Sequence, residues 1–210
     1  MLDSAEYVKI FVGLLAIVNP VGAVPLFIAM TGGDSDQQLH RTVHQVAISV
    51  LIILLATLFL GDMLLEFFGI SIASFRVGGG ILILLMAIAM LHARTSSVRQ
   101  TREEAEESID RESVGVVPLA MPLLAGPGAI SAVIMAAHRS DTLSHHLVIA
   151  LGILLLSVVV WGVLRLAPWI ADHVSATGIN ISTRIMGLVL AAIAVEFIAD
   201  GLKGLFPTLG

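Results

Sequence analysis

Long apolar stretches separated by short polar connections make up most of this chain of 210 residues. A helix needs roughly 17 to 25 largely apolar residues to cross the hydrocarbon core of a bilayer. Six segments meet or nearly meet that length: residues 7–30, 43–60, 72–91, 114–137, 146–164 and 179–199. The pattern therefore predicts an all-α integral membrane protein with six transmembrane helices.

A polar linker, residues 96–112, divides the six spans into two sets of three. We assign residues 1–95 to a first three-helix repeat and residues 113–210 to a second. Matching residues recur at offsets between 106 (128 minus 22) and 108 (184 minus 76): Pro20 and Pro127, Gly22 and Gly128, Arg76 and Arg184, Gly79 and Gly187. Because each repeat has an odd number of spans, the second enters the membrane from the opposite side, which predicts inverted repeats.

Two of the spans are interrupted in the same way. Asn19-Pro20-Val21-Gly22 lies inside the first, and Gly126-Pro127-Gly128 lies inside the fourth. A break in a membrane helix is tolerated only where it is buried in protein or lines a cavity, and matched breaks in two halves indicate a transport site. We expect broken first and fourth helices. Re-entrant hairpins at 7–30 and 114–137 are the alternative, and they would make the repeats parallel.

The chemistry of such breaks favours a zwitterion. Proline removes a backbone donor, so carbonyl groups before each break are free to bind an ammonium group. The half-helix after each break begins with free amides and a positive dipole end, which suit a carboxylate. The alternative is a kinked helix whose side chains only cap the freed backbone groups. The candidate substrate-binding residues are Asn19, Pro20, Gly22, Gly126, Pro127, Gly128 and Ser131.

Three charged residues inside apolar runs are further candidates. Arg76 and Arg184 occupy matching positions in the third and sixth spans. They are predicted to gate the site or to pair with a carboxylate, or else to anchor in the headgroup region. Glu196 is a candidate for proton coupling, with a small interfacial network that includes Asp200 and Lys203 as the alternative.

Composition excludes several other classes. The chain is 57% hydrophobic and 13% charged, with a mean hydropathy of +0.99, unlike a soluble domain. It contains no cysteine, which excludes disulfides, thiolate metal sites and cysteine nucleophiles. The chain has neither an HExxH run nor a convincing serine dyad, so we expect no enzyme, no metal site and no cofactor. The candidate coupling ion is H⁺ or Na⁺. His145 and His146 are predicted to lie in a short loop.

Charge in the connections predicts orientation. The formal net charge of −5 comes mostly from residues 103–112, so we expect no nucleic-acid partner. Six basic residues fall in the first, third and fifth connections and three in the N-terminus, the other connections and the C-terminus. The excess of positive charge inside places both termini outside the cytoplasm. The first six residues have no basic region typical of a cleaved signal peptide.

Four stretches together resemble one known family, the MarC family of bacterial inner-membrane proteins, and within it the YchE-type branch. They are LLAIVNPVGAVPLFIAMT (14–31), FGISIASFRVGGGILILLMAIAM (68–90), SVGVVPLAMPLLAGPGAIS (113–131) and TGINISTRIMGLVLAAIAVEFI (177–198). The resemblance runs essentially from end to end. It implies six spans and a location in the cytoplasmic membrane.

The resemblance also implies a class of activity. The family is called the neutral amino acid transporter family and is grouped with LysE-type exporters, which implies a carrier of small neutral amino acids such as glycine and alanine. The residues that match its motifs are Asn19, Pro20, Gly22, Arg76, Gly126, Pro127, Gly128 and Arg184. The roles given to them above come from mechanism, because the motif alone does not assign roles.

We therefore expect a secondary transporter of small neutral amino acids or similar zwitterions that works by alternating access. Its partners would be the lipid bilayer and a small-molecule substrate, and the sequence leaves a homo-oligomer open. A LysE-type exporter of a metal ion or another metabolite is the first alternative. A non-transporting scaffold or regulatory membrane protein is the second.

Overall fold

The computed structural model describes residues 2–31, 35–92 and 124–209, and within these ranges the chain forms helices without any strand. In these ranges eight α-helices and a final 3-10 turn follow one another. They are α1 (Ser4–Val18), α2 (Pro20–Thr31), α3 (Asp36–Phe67), α4 (Ile72–Leu91), α5 (Pro127–Ala137), α6 (Leu143–Arg165), α7 (Ala167–His173), α8 (Ala176–Leu205) and the turn Pro207–Leu209.

In the described part of the chain, five helical segments are long and apolar enough to cross a membrane. They are Ser4–Thr31 (α1 with α2), α3, α4, α6 and Thr177–Leu205 of α8. This confirms five of the six predicted spans, and 72–91 has the predicted bounds. The shorter apolar helix α5 forms the second part of the predicted span 114–137. The first part of that span and the linker 96–112 lie outside the described residues.

Helix α3 is longer than the predicted span 43–60 because its polar first turns are also helical. Ser35 and Gln38 form a capping box, in which the Ser35 hydroxyl oxygen accepts from the Gln38 N–H and the Gln38 side-chain oxygen accepts from the Ser35 N–H. Such a box satisfies two backbone donors that a helix start otherwise leaves free. Hydropathy locates the apolar part of a helix, whereas the cap determines where the helix begins.

The first span crosses the bundle as one broken helix. Near its start, the Tyr7 hydroxyl lies 2.9 Å from His145 in the first turn of α6, and α2 packs against α7, which follows the end of α6. The two half-helices therefore run parallel to α6 along its 23 residues, about 34 Å at 1.5 Å per residue. This geometry favours the broken span over a re-entrant hairpin at 7–30.

Helices α4 and α8 pack closely and run antiparallel. Gly201 faces Ala73 near the start of α4, and Gly187 faces Leu91 near its end. A Cβ on Gly201 would lie 2.8 Å from the Ala73 carbonyl oxygen and 2.9 Å from the nitrogen of Val77. Small residues permit such backbone-to-backbone contact between membrane helices.

The matched glycines Gly79 and Gly187 do not have matching partners. Gly187 faces Ala87 and Met90 of α4, whereas Gly79 faces Ser131 and Met135 of α5. The two residues occupy equivalent positions in sequence but contact different helices. Residues at matching positions of the two sequence repeats therefore do not always contact matching helices.

Among the described residues, side chains from most of the helices form one core around the first span. Phe27, Leu54 and Ile153 are fully buried there, from α2, α3 and α6. Large apolar side chains such as Ile52 and Leu188 are exposed on the outside. An apolar outer surface is what contact with lipid chains requires, in agreement with the membrane spans.

Candidate functional site

Asn19 ends one half-helix and begins the next. Its φ of 45° and ψ of 64° place it in the left-handed region, and its N–H donates to the Leu15 carbonyl at 2.8 Å. Its side-chain oxygen accepts from the Gly22 N–H at 3.2 Å, which caps α2. The residue before a proline avoids the helical region, and asparagine is one of the few residues that tolerates the left-handed one. The local sequence therefore dictates the break.

The first break lies in the protein interior. Val18 and Asn19 are 0% and 4% exposed, and Pro20 is buried as well. Because Pro20 has no N–H, the Ala16 carbonyl cannot receive the usual helical hydrogen bond from it. The break therefore places polar main-chain groups where water and lipid do not reach.

The second break differs in its chemistry. Gly126 is the N-cap of α5, with extended backbone and no side chain that accepts from the first-turn amides, and Pro127 follows at the first helical position. Gly126 and Gly128 are buried, whereas Pro127 is exposed. The start of α5 therefore lacks a side-chain cap, whereas Asn19 caps the start of α2. Of the two half-helices, α5 presents the freer anion-binding end.

The two breaks approach each other. A Cβ on Gly128 would lie 3.5 Å from Cγ2 of Ile17 and 2.7 Å from the sulfur of Met86. Ile17 is two residues before Asn19, so the second break packs against the first. Ser131, one turn further along α5, is 3% exposed. We call Ile17, Asn19, Met86, Gly128 and Ser131 the break site.

The break site is closely packed in this structure. Two apolar grooves, of about 280 and 470 Å³, lie between α1 and α6 and between α3 and α5. Neither groove is lined by a residue of the break site. A ligand that binds between the two breaks therefore has to displace the close contact of Gly128 with Ile17 and Met86.

The predicted charged residues lie away from this interior. Arg184 and Glu196 are exposed on α8, and Arg76 is partly exposed on α4, one turn before Gly79. Val77 faces Gly201 and Leu91 faces Gly187, so Arg76 and Arg184 lie towards opposite ends of the α4–α8 pair. No ion pair joins Glu196, Asp200 and Lys203 in the part of the chain that the structure describes.

Sequence reasoning missed His145, which was expected in a short loop. It lies in the first turn of α6 and is 0% exposed. Its Nδ1 is 2.9 Å from the Tyr7 hydroxyl, and its Nε2 is 2.8 Å from the Ala136 carbonyl oxygen. The available signal was a histidine directly before an apolar run, with a tyrosine at the same depth of a parallel span.

Substitutions at Asn19 are expected to separate the contribution of its side-chain cap from that of its left-handed backbone conformation. Asn19→Gly keeps the left-handed conformation and loses only the side-chain cap, a loss of a few tenths of a kcal/mol. Asn19→Ala loses the cap and adds left-handed strain, together about 2 kcal/mol. Unfolding of the purified protein in detergent measures both changes. Equal stability of the two variants would contradict the proposed strain.

Comparisons with known proteins agree over the whole chain. Residues 4–206 match the family model described as "MarC family integral membrane protein". The UPF0056 membrane protein YhcE of Escherichia coli (strain K12) is 46% identical over 207 residues, which are 99% of this chain and 96% of that protein. The UPF0056 membrane protein MJ1677 of Methanocaldococcus jannaschii is 36% identical over 203 residues, 97% of this chain and 98% of that protein.

A third relative, a UPF0056 membrane protein of Aquifex aeolicus (strain VF5), is 36% identical over 199 residues, 95% of this chain and 93% of that protein. No solved structure matches the chain. The descriptions of these relatives name a membrane protein, without a substrate or a catalytic activity.

Proposed function

The chain belongs to the MarC family of integral membrane proteins, and from this premise we propose that it is a secondary transporter of small neutral amino acids or similar zwitterions. Transport proceeds by alternating access, in which the binding site opens to one side of the membrane at a time. The protein lies in the cytoplasmic (inner) membrane with both termini on the non-cytoplasmic side.

The observation that carries this proposal is the buried meeting of the two breaks. Gly128, next to the uncapped start of α5, packs against Ile17 in the last turn of α1. The amides of α5 are suited to a substrate carboxylate, and the Ala16 carbonyl, which cannot accept a hydrogen bond from Pro20, is suited to its ammonium group. A zwitterion with a small side chain fits this closely packed interior better than a bulky one.

The arrangement of helices supports alternating access through inverted repeats. The third and sixth predicted spans, α4 and α8, run antiparallel, as inverted repeats require and parallel repeats do not. Arg76 and Arg184 then lie towards opposite sides of the membrane, where each gates one entrance or pairs with the carboxylate as it arrives. Glu196 remains the candidate for coupling to H⁺, with Na⁺ as the other coupling ion.

Flux into proteoliposomes tests the proposal. We expect saturable uptake of radiolabelled glycine or alanine above that of protein-free liposomes, and faster uptake when a gradient of H⁺ or Na⁺ drives it. Excess unlabelled substrate added outside is expected to compete. If purified, monodisperse protein gives no flux above empty vesicles across a broad panel of amino acids, the proposal fails.

A further inference from the structure

Among the described residues, three polar contacts between the two halves of the chain lie at one end of the bundle. The Tyr7 hydroxyl lies 2.9 Å from Nδ1 of His145. Glu6 and Arg139 approach to 4.0 Å, and Asp62 and His138 to 3.7 Å. Each contact joins a residue of the first repeat to a residue of the second.

The three contacts share one end because of the topology. Glu6 and Tyr7 lie where α1 begins, Asp62 lies near the end of α3, and the other three residues lie where α5 ends and α6 begins. We call these six residues the N-terminal latch. At the opposite end, among the residues that the structure describes, the polar side chains that meet across the halves are His44 and Trp161, in an edge-on ring contact of 5.8 Å.

The centre of the latch is a fully buried histidine whose tautomer is determined by its partners. The Ala136 carbonyl can only accept, so Nε2 of His145 carries the proton and donates to it. Nδ1 then accepts from the Tyr7 hydroxyl. One ring thus joins α1 to the last turn of α5, the half-helix that begins at the second break.

We propose that the Tyr7–His145 contact, flanked by Glu6–Arg139 and Asp62–His138, is the gate that closes the N-terminal end of the transport path. This inference rests on the proposed function and adds to it the identity of one gate. The conformation described here is the one in which the N-terminal end is closed. To admit substrate there, α1 must separate from α5 and α6, so the partly buried hydrogen bond between Tyr7 and His145 must break. Opening exchanges this contact for hydrogen bonds to water, at a net cost of about 1 kcal/mol that favours the closed gate without substrate.

The absence of native cysteine makes the gate directly testable, because a single introduced cysteine is the only thiol. Ser131→Cys reports access to the break site. Ala5→Cys and Asp172→Cys, at exposed positions, identify which side of the membrane each end faces. A membrane-impermeant thiosulfonate reagent is applied to each side, in right-side-out and in inverted vesicles.

In the Ser131→Cys background, Tyr7→Phe removes only the hydroxyl, and His145→Leu removes the ring. We expect either change to speed labelling from the N-terminal end by about fivefold, the factor that corresponds to one net hydrogen bond of about 1 kcal/mol. Labelling from the other end should fall or stay unchanged. His44→Leu, at the opposite end, is the matched control and should not speed labelling from the N-terminal end.

A cross-linking arm tests the same gate in the reverse direction. Tyr7→Cys with His145→Cys, joined by a short bifunctional thiosulfonate, is expected to abolish flux, and reduction is expected to restore it.

Unchanged labelling in folded Tyr7→Phe and His145→Leu variants, or equally faster labelling from both ends, would overturn the gate. Faster labelling from one end, together with no flux of any amino acid through the protein that keeps Ser131, would support the gate and reject the proposed substrate class. Flux with unchanged labelling would support the proposed substrate class and reject the gate.

Discussion

Gly201→Leu is expected to lower the free energy of unfolding by about 3 kcal/mol or more, at the upper end of the effect of overpacking. The Cβ alone would lie 2.8 Å from the Ala73 carbonyl oxygen and 2.9 Å from the nitrogen of Val77. Both are main-chain atoms of α4, so no side-chain rotation relieves the overlap and the two helices must separate. Thermal unfolding in detergent, followed by loss of the monodisperse peak, measures the change.

Gly78→Leu is the matched control for this substitution. Gly78 lies on the other helix of the pair and is exposed, and a Cβ there would have no atom of the described residues within 4 Å. We expect a change within about 0.5 kcal/mol, as for other surface positions. Gly201→Ala should already destabilise, whereas Gly78→Ala should not. If both leucine variants unfold at the same temperature, backbone contact does not hold this pair together.

Gly128→Leu is expected to lower substrate flux at least about tenfold. A Cβ on Gly128 would lie 2.7 Å from the Met86 sulfur, so a leucine must fill the space between the two breaks. A penalty of about 1.4 kcal/mol on substrate binding already gives a tenfold loss, and overpacking costs about 1 to 3 kcal/mol. Initial rates of glycine uptake into proteoliposomes measure the effect.

Two further variants separate loss of function from loss of folding. Met86→Ala added to Gly128→Leu removes the crowded side chain, and we expect stability to return while flux stays low, because leucine still occupies the break site. Gly152 lies on α6, where a Cβ would meet, among the described residues, only Phe11 at 4.0 Å. The flux of Gly152→Leu should therefore stay near that of the unaltered protein. Normal flux in a folded Gly128→Leu protein would show that substrate does not pass between the breaks.

The sequence predicted the parts of the fold that depend on local chemistry. The span 72–91 has the predicted bounds because its ends coincide with the ends of an apolar run. The break at Asn19 was predictable because the next residue is a proline, which excludes asparagine from the helical region. The start of α3 was not predictable from hydropathy, because the Ser35–Gln38 capping box that begins this helix consists of polar residues.

The site was predictable at its breaks and not at its contacts. Gly128 was named from the proline and glycines around it, whereas its neighbour Met86 is an ordinary apolar residue whose position only the packing reveals. The same limit applies to His145 and Tyr7, which are 138 positions apart. Local patterns constrain the backbone near each residue, and they do not identify its partner on another helix.

The close pairing of α4 with α8 has a consequence for synthesis of the chain. The ribosome adds about 5 to 20 residues per second, so α4 enters the bilayer roughly 5 to 20 seconds before its partner exists. During that time its glycines face acyl chains instead of a neighbouring backbone. The third span must therefore remain stably inserted by itself, which its 20 residues of apolar helix permit, and final assembly has to wait for the last span to emerge.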